Sequence, residues 1–175
     1  MLAGPCLNSK LSTGIINLRF DEFVFCFDIV EAFLSIGLDE RDCNKLCFLW
    51  FRNPTEGDFS IVGYRNTKLS FGLKCSPTLL MLALYKILII DIDNDSQRVI
   101  DFKKQLFHNF YMDNGAFTCN SREELQWAYD NLAKIFSPYQ FFLQQYSTND
   151  SSLQGKIDKD NCTDCLLYTS DAADE

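Results

Sequence analysis

The chain has 175 residues, of which 47% are hydrophobic and 23% are charged, as in a protein that folds around a core. Its net charge of −8 at pH 7 argues against a stand-alone nucleic-acid-binding domain, which usually carries a basic patch. The longest apolar run, residues 79–90, is 12 residues long and contains Lys86, whereas a membrane-spanning helix needs about 20 apolar residues. The sequence therefore predicts one folded domain without a membrane span.

Eight cysteines raise the possibility of disulfide bonds. Since no signal peptide is recognisable and most of the cysteines lie in apolar runs, buried free thiols in a reducing compartment are favoured. A zinc site is disfavoured, because His108 is the only histidine and the pair Cys43 and Cys47 has no matching second pair.

Three short apolar runs, rich in aromatic and β-branched residues, predict strands in the first half of the chain. They span residues 23–29, 46–51 and 59–64. Residues 30–36 predict one or two helical turns, and the Asn, Pro, Gly and Asp residues within 53–58 predict a turn between two strands.

Helical signals dominate the next part of the chain. Ser76 and Pro77 predict the N-cap and first residue of an apolar helix that extends to about Ile90. The acidic segment 93–95 predicts a break and the cap of a second helix, over residues 96–107.

A hairpin is predicted over residues 108–119, with Asp113-Asn114-Gly115 at its tip, because Asn-Gly favours the positive φ angles of a tight turn. A capping box at 121–124 then begins an amphipathic helix. The apolar positions that recur on one face of this helix are Leu125, Ala128, Leu132 and Ile135. Ser137-Pro138 ends the helix, residues 141–146 predict a last strand, and the chain from Ser147 onward is polar and predicted to be ragged. The pattern predicts an α+β fold in which helices back an antiparallel sheet.

Three segments carry residues suited to catalysis. FDIVEAF places Asp28 at the end of an apolar strand, LSFGLKCSP forms a glycine-containing loop before a helix, and YMDN places Asp113 in a tight turn. Each segment is weak evidence alone, because a carboxylate at a strand end is usually a turn or cap residue and YMDN is more often a plain turn.

In this order, the three segments resemble motifs A, B and C of reverse transcriptases. Longer stretches resemble the Pao/BEL group of long-terminal-repeat retrotransposons over residues 3–150. These stretches are GPCLNSKL, DIVEAFLSIGLDERD, FLWFRNP, YRNTKLSFGLKCSP and FFLQQYSTND. The resemblance implies a polymerase palm with part of the fingers over residues 1–150, followed by a ragged polar segment over 151–164.

The resemblance implies an RNA-directed DNA polymerase, a nucleotidyltransferase that uses two Mg²⁺ or Mn²⁺ ions. The implied partners are an RNA template, a DNA or RNA primer, deoxynucleoside triphosphates and the rest of the retrotransposon polyprotein. The implied location is a cytoplasmic retrotransposon particle.

The resemblance also assigns roles to individual residues. Asp28 and Asp113 would be the catalytic metal ligands, since Mg²⁺ prefers hard oxygen donors. Phe33 would exclude a 2′-hydroxyl beneath the incoming sugar, although a core aromatic on a helix is the alternative. Phe71 and Gly72 would lie against the nucleotide and the template.

The sequence departs from the family pattern in two ways. Asn114 stands where the family usually has a second aspartate, which implies a weakened metal site at this altered position. Only 27 residues precede Asp28, so the basic fingers residues are expected before Met1, and the thumb and ribonuclease H after the last residue. Both departures predict a weak or inactive fragment. The alternatives are a retrotransposon relic that folds without turnover and an unrelated protein-interaction domain.

The last eleven residues, CLLYTSDAADE over 165–175, resemble the read-through translation of a sequencing-library adapter. They contain Asp171, Asp174 and Glu175 and no basic residue, and therefore account for part of the net negative charge. We expect this tail to make no contribution to the fold.

Overall fold

A computed structural model describes residues 3–5, 7 and 11–157. The helices are α1 (Leu11–Asn17), α2 (Glu40–Cys43), α3 (Ser76–Tyr85), α4 (Gln97–Asn109), α5 (Arg122–Phe136) and α6 (Ser151–Gln154). The strands are β1 (Phe23–Ile29), β2 (Cys47–Asn53), β3 (Asp58–Arg65), β4 (Asn114–Cys119) and β5 (Leu143–Thr148). The adapter-like tail lies outside the described residues. Within them, no helix is both long enough and apolar enough to cross a membrane.

The central sheet has three antiparallel strands in the order β4-β1-β5. Phe25, Phe27 and Ile29 of β1 are buried, and the residues between them are only partly buried. Because side chains alternate between the faces of a strand, Asp28 lies on the face opposite Phe27 and Ile29. The predicted α+β fold, with helices backing an antiparallel sheet, is confirmed.

Aromatic side chains hold β1 against the helices. The Phe27 ring lies 5.6 Å from that of Phe110 and 6.1 Å from that of Phe136 at the end of α5. The Phe25 ring packs edge-on against Tyr129 of α5, with the ring centroids 5.8 Å apart. Such pairs each add about 0.5–1.5 kcal/mol beyond area burial. The position of the end of β1 is therefore fixed by the core.

Helix α5 follows the predicted pattern. Ser121 is its N-cap, and the Ser121 hydroxyl accepts a hydrogen bond from the backbone N–H of Glu124 at 3.1 Å. The four predicted core positions are buried, and the helix ends at Phe136, immediately before Ser137-Pro138.

Two helical predictions need correction. Residues 30–35 form consecutive turns instead of a helix, and Glu31 within them has a φ of +46° that interrupts helical geometry. Ser76 is the first residue of α3 instead of its cap, which is Cys75, and the Ser76 hydroxyl donates to the backbone carbonyl of Ser70 at 2.6 Å. The α-helix ends at Tyr85, and a π-helical segment, Lys86–Ile90, completes the predicted length.

The hairpin predicted over residues 108–119 is wrong in its first arm and in its tip. Helix α4 continues to Asn109, so that only Tyr111 pairs with Asn114 across the turn. The turn centres on Met112 and Asp113, and Met112 adopts the positive φ, +57°. Asn114 begins β4 instead of lying at the tip.

The ragged segment predicted from Ser147 onward is wrong for the part that the structure describes. Ser147 and Thr148 belong to β5, and α6 follows. The carboxylate of Asp150, the buried N-cap of α6, accepts from the backbone N–H of Leu153 and from the Arg122 guanidinium, each at 2.8 Å. Leu153 is also buried in the core, so this segment is part of the folded domain.

Strands β2 and β3 form a separate two-stranded antiparallel sheet. Its large apolar side chains are exposed, and they contact each other: Phe48 stacks on Tyr64, and Phe51 packs edge-on against Phe59.

Gly115 in β4 allows β4 to lie against the Phe27 ring. A Cβ at this position would lie 2.2 Å from Phe27 Cζ, so Gly115→Ala must displace a buried ring. We expect a loss of about 1–3 kcal/mol of the free energy of unfolding and a melting temperature lower by several degrees.

The matched control is Gly63→Ala in β3, where an added Cβ meets no heavy atom within 4 Å. Thermal unfolding followed by circular dichroism compares the two variants. Equal melting temperatures would show that the Phe27–Gly115 contact does not limit the packing of the sheet.

Candidate catalytic site

Asp28 and Asp113 meet at one end of the central sheet. Asp28 is the last residue but one of β1, and Asn114, at the start of β4, is its cross-strand partner. The backbone carbonyl of Asp113 accepts a hydrogen bond from the N–H of Ile29 at 3.1 Å. Pairing of β1 with β4 therefore brings together two carboxylates that are 85 residues apart in the chain.

The surroundings of Asp28 disfavour a negative charge on its carboxyl group. Partial burial raises the pKa of Asp28 above its ordinary value, and the nearby charge of Asp113 raises it further. A hydrogen bond from the Gln144 amide and another from the backbone N–H of Ile29 act in the opposite direction. Two partly buried carboxylates of like charge fit a divalent cation, which would relieve their repulsion and accept hard oxygen donors.

Asn114 adds an amide beside this pair. Its Nδ2 donates to Asp113 Oδ1 at 3.0 Å. Within the described part of the chain, no group of three or more His, Cys, Asp or Glu residues could hold a metal ion. The acidic side chains of this site are thus limited to Asp28 and Asp113.

Gln144 is a site residue that the sequence reasoning missed. It lies on β5 as the cross-strand partner of Asp28, and its Nε2 donates to Asp28 Oδ2 at 2.9 Å. No local pattern marks this glutamine, because its proximity to Asp28 depends on the register of two strands that are distant in sequence.

The predicted nucleotide-binding residues lie close together. The rings of Phe33 and Phe71 pack edge-on with their centroids 5.0 Å apart. Phe33 is partly buried against the core, whereas Phe71 is 66% exposed. Gly72 has a φ of +80°, which an L-amino-acid side chain would disfavour.

Backbone contacts join the turn after β1 to the loop before α3. Gly37 forms a bridge with Lys68, and the N–H of Leu69 donates to the carbonyl of Ile36 at 2.9 Å. These contacts and the Phe33–Phe71 ring pair bring FDIVEAF and the residues after it against LSFGLKCSP. The candidate site therefore consists of the carboxylates of Asp28 and Asp113 at the end of β1 and the rings of Phe33 and Phe71 beyond the turn that follows β1.

The family model for reverse transcriptase (RNA-dependent DNA polymerase) matches residues 11–147, which is most of the chain. The chain belongs to the reverse transcriptase family. This assignment excludes the unrelated protein-interaction domain that the sequence left open. A comparison with curated protein sequences finds no match.

Solved structures support the same fold. One of them is a foamy viral protease-reverse transcriptase in complex with an RNA/DNA hybrid, which superposes with a TM-score of 0.52 at 19% sequence identity. The match covers 74% of this chain and 14% of the foamy viral chain. At this identity the likeness establishes the reverse transcriptase polymerase fold, with its palm of antiparallel strands and helices.

The raised pKa of Asp28 predicts how stability depends on pH in the absence of metal. A carboxyl whose pKa is higher in the folded state destabilises the fold above that pKa, and the penalty disappears as the pH falls toward the unfolded value of about 3.9. Asp28→Asn should therefore raise the melting temperature at pH 7.5, and the difference from the original chain should shrink toward pH 4.

Asp58→Asn is the control, because hydrogen bonds from the Ser60 side chain and backbone lower the pKa of Asp58. It should not raise the melting temperature at pH 7.5. A melting temperature of Asp28→Asn at or below that of the original chain at pH 7.5 would contradict the electrostatic description of the site.

Proposed function

We propose that the chain is a palm, with part of the fingers, from the RNA-directed DNA polymerase of a Pao/BEL-type retrotransposon. The observation that carries this proposal is the meeting of Asp28 and Asp113 at the end of β1, with the Phe33 and Phe71 rings in contact beyond the next turn. These residues lie far apart in the sequence, and the fold brings Asp28 beside Asp113 and Phe33 against Phe71.

Asp28 and Asp113 would hold the divalent cations, Mg²⁺ or Mn²⁺, that the reaction requires. When bound, such cations neutralise charge that develops on the attacking and leaving oxygens in nucleotidyl transfer. The two carboxylates supply hard oxygen donors, and their mutual repulsion in the metal-free chain favours cation binding. The protein's contribution is to fix the two carboxylates before the substrate arrives.

Asn114 weakens this arrangement. An amide retains a carbonyl oxygen but carries no negative charge, and here its nitrogen donates to an oxygen of Asp113. That hydrogen bond takes up one lone pair of the Asp113 carboxylate, which would leave fewer positions for a cation. Each 1.4 kcal/mol of lost stabilisation costs about tenfold in affinity or rate.

Phe33, Phe71 and Gly72 form the surface for the incoming deoxynucleoside triphosphate. In this proposal Phe33, at the edge of the core, excludes a 2′-hydroxyl, and the exposed ring of Phe71 offers a stacking surface. Gly72 has a positive φ that favours glycine, and no heavy atom lies within 4 Å of the position that a Cβ would take there, apart from its chain neighbours. An RNA template and a DNA or RNA primer are the corresponding macromolecular partners, within the retrotransposon polyprotein and its cytoplasmic particle.

The alternative is a retrotransposon relic that retains the fold without turnover. The hydrogen bond between Asn114 and Asp113 favours this alternative, because it occupies part of the acidic pair. The fold and the aromatic surface are common to both possibilities, so the chemistry at position 114 distinguishes them.

Restoring the carboxylate tests the proposal. The chain is joined to the fingers and thumb of an intact reverse transcriptase, and Mg²⁺-dependent primer extension on an RNA template is measured. Asn114→Asp should raise the rate about tenfold or more, because a third carboxylate recovers electrostatic stabilisation of the cations. Asp113→Asn in the same background should abolish extension.

Two results would count against parts of the proposal. If Asn114→Asp leaves extension unchanged while the original chain is active, Asn114 only shapes the start of β4 and does not impair the site. If Asp113→Asn retains full extension, Asp113 is not a metal ligand and the assignment of the site is wrong.

A further inference from the structure

The carboxylate of Asp28 is held from the neighbouring strand. Gln144 lies directly across from Asp28 on β5, and its Nε2 donates to Asp28 Oδ2 at 2.9 Å. Both side chains are partly buried. The hydrogen bond joins residues that are 116 positions apart, so it depends entirely on the fold.

A β-bulge sets this alignment. The register between β1 and β5 shifts between Cys26 and Asp28, where Cys26 pairs with Ser147 and Asp28 pairs with Gln144. Gln145, within the shift, has a φ of +54°, an uncommon value for a residue other than glycine. Since a shift of one residue exchanges the two faces of a strand, the bulge determines that Gln144 is the residue beside Asp28.

The chemistry of the side chain suits a site for cations. A carboxylate has about four lone-pair positions, so a single donor at Oδ2 fixes its orientation and leaves positions for a metal ion. A lysine or arginine could make the same hydrogen bond, but its positive charge would compete with the cation. Glutamine provides the donor without that charge.

We propose that Gln144 is a positioning residue that orients the Asp28 carboxylate for divalent-cation binding. The proposal rests on the metal-binding role proposed above for Asp28 and Asp113. It adds a third strand, β5, to the two strands that supply the ligands. In this proposal, the register shift around Gln145 orients the Gln144 amide toward the Asp28 carboxylate.

The test uses the chain as it exists and Mn²⁺ alone as the probe. Mn²⁺ binding is measured by paramagnetic broadening of the assigned backbone amide signals of Asp28 and Asp113. Gln144→Met keeps an unbranched side chain of similar length but removes the donor. It should weaken Mn²⁺ binding about tenfold, the scale found when a hydrogen-bond partner of a metal ligand is lost.

Two further variants separate positioning from a general structural effect. Gln97→Met makes the same substitution at an exposed residue of α4, whose amide donates to Asp101 Oδ1 at 2.9 Å instead of to Asp28, and it should leave Mn²⁺ affinity unchanged. Gln144→Lys keeps a donor and should preserve the melting temperature, yet its charge should weaken Mn²⁺ binding. This variant keeps the proposal testable if Gln144→Met folds poorly.

The possible failures are distinguishable. Equal Mn²⁺ affinity in the original chain, Gln144→Met and Gln144→Lys would overturn the positioning role while leaving Asp28 and Asp113 as ligands. An equal loss in Gln97→Met would also overturn it, because a general effect of the substitution on the chain would then explain the loss. Absence of broadening at Asp28 and Asp113 in the original chain would overturn the proposed metal site itself, and the positioning role with it.

Discussion

The antiparallel pairing of β1 with β4 is the constraint on which the site depends. It places Asp113 beside the end of β1, where the carbonyl of Asp113 accepts from the N–H of Ile29. The pairing requires Gly115, since any side chain there would collide with the buried ring of Phe27. The core packing of Phe27 against Phe110 and Phe136 thus supports the strand pair that holds two like charges together.

The close approach of the Asp28 and Asp113 carboxylates carries an electrostatic cost, which a bound cation would relieve. Burial and the charge of Asp113 both disfavour the ionised form of Asp28, while hydrogen bonds from Gln144 and Ile29 favour it. The aromatic core and the strand pairing hold the site in place despite that cost. Such preorganisation is typical of catalytic sites, where the protein supplies fixed charges before the reacting groups bind.

Much of the fold was predictable because several signals agreed with each other. The bounds of β1 and the core face of α5 follow from local patterns, and the structure confirms both. The meeting of Asp28 and Asp113 was expected from the family resemblance together with the predicted antiparallel sheet. The bounds of β1 and the core face of α5 rest on features that each segment carries by itself, whereas the meeting of the two aspartates rests on the order of the three motifs.

Other features depended on packing that no local pattern records. Asn114-Gly115 indicated a tight turn with positive φ at these residues, but Met112 adopts the positive φ. Gly115 is required for a different reason, because a side chain there would collide with the Phe27 ring. Gln144 was missed because a bulge in β5 decides which residue lies beside Asp28. The polar composition after Ser147 gave no indication of α6. The N-cap of this helix, Asp150, accepts a hydrogen bond from Arg122 at the start of α5, which is distant in sequence.

The most direct test of the account is a crystal structure of the chain grown with Mn²⁺, with the ion located by anomalous scattering. We expect an ion within coordination distance of carboxylate oxygens of both Asp28 and Asp113. Carboxylates more than about 10 Å apart, or an ion bound only at other acidic residues, would contradict two-metal chemistry at this site.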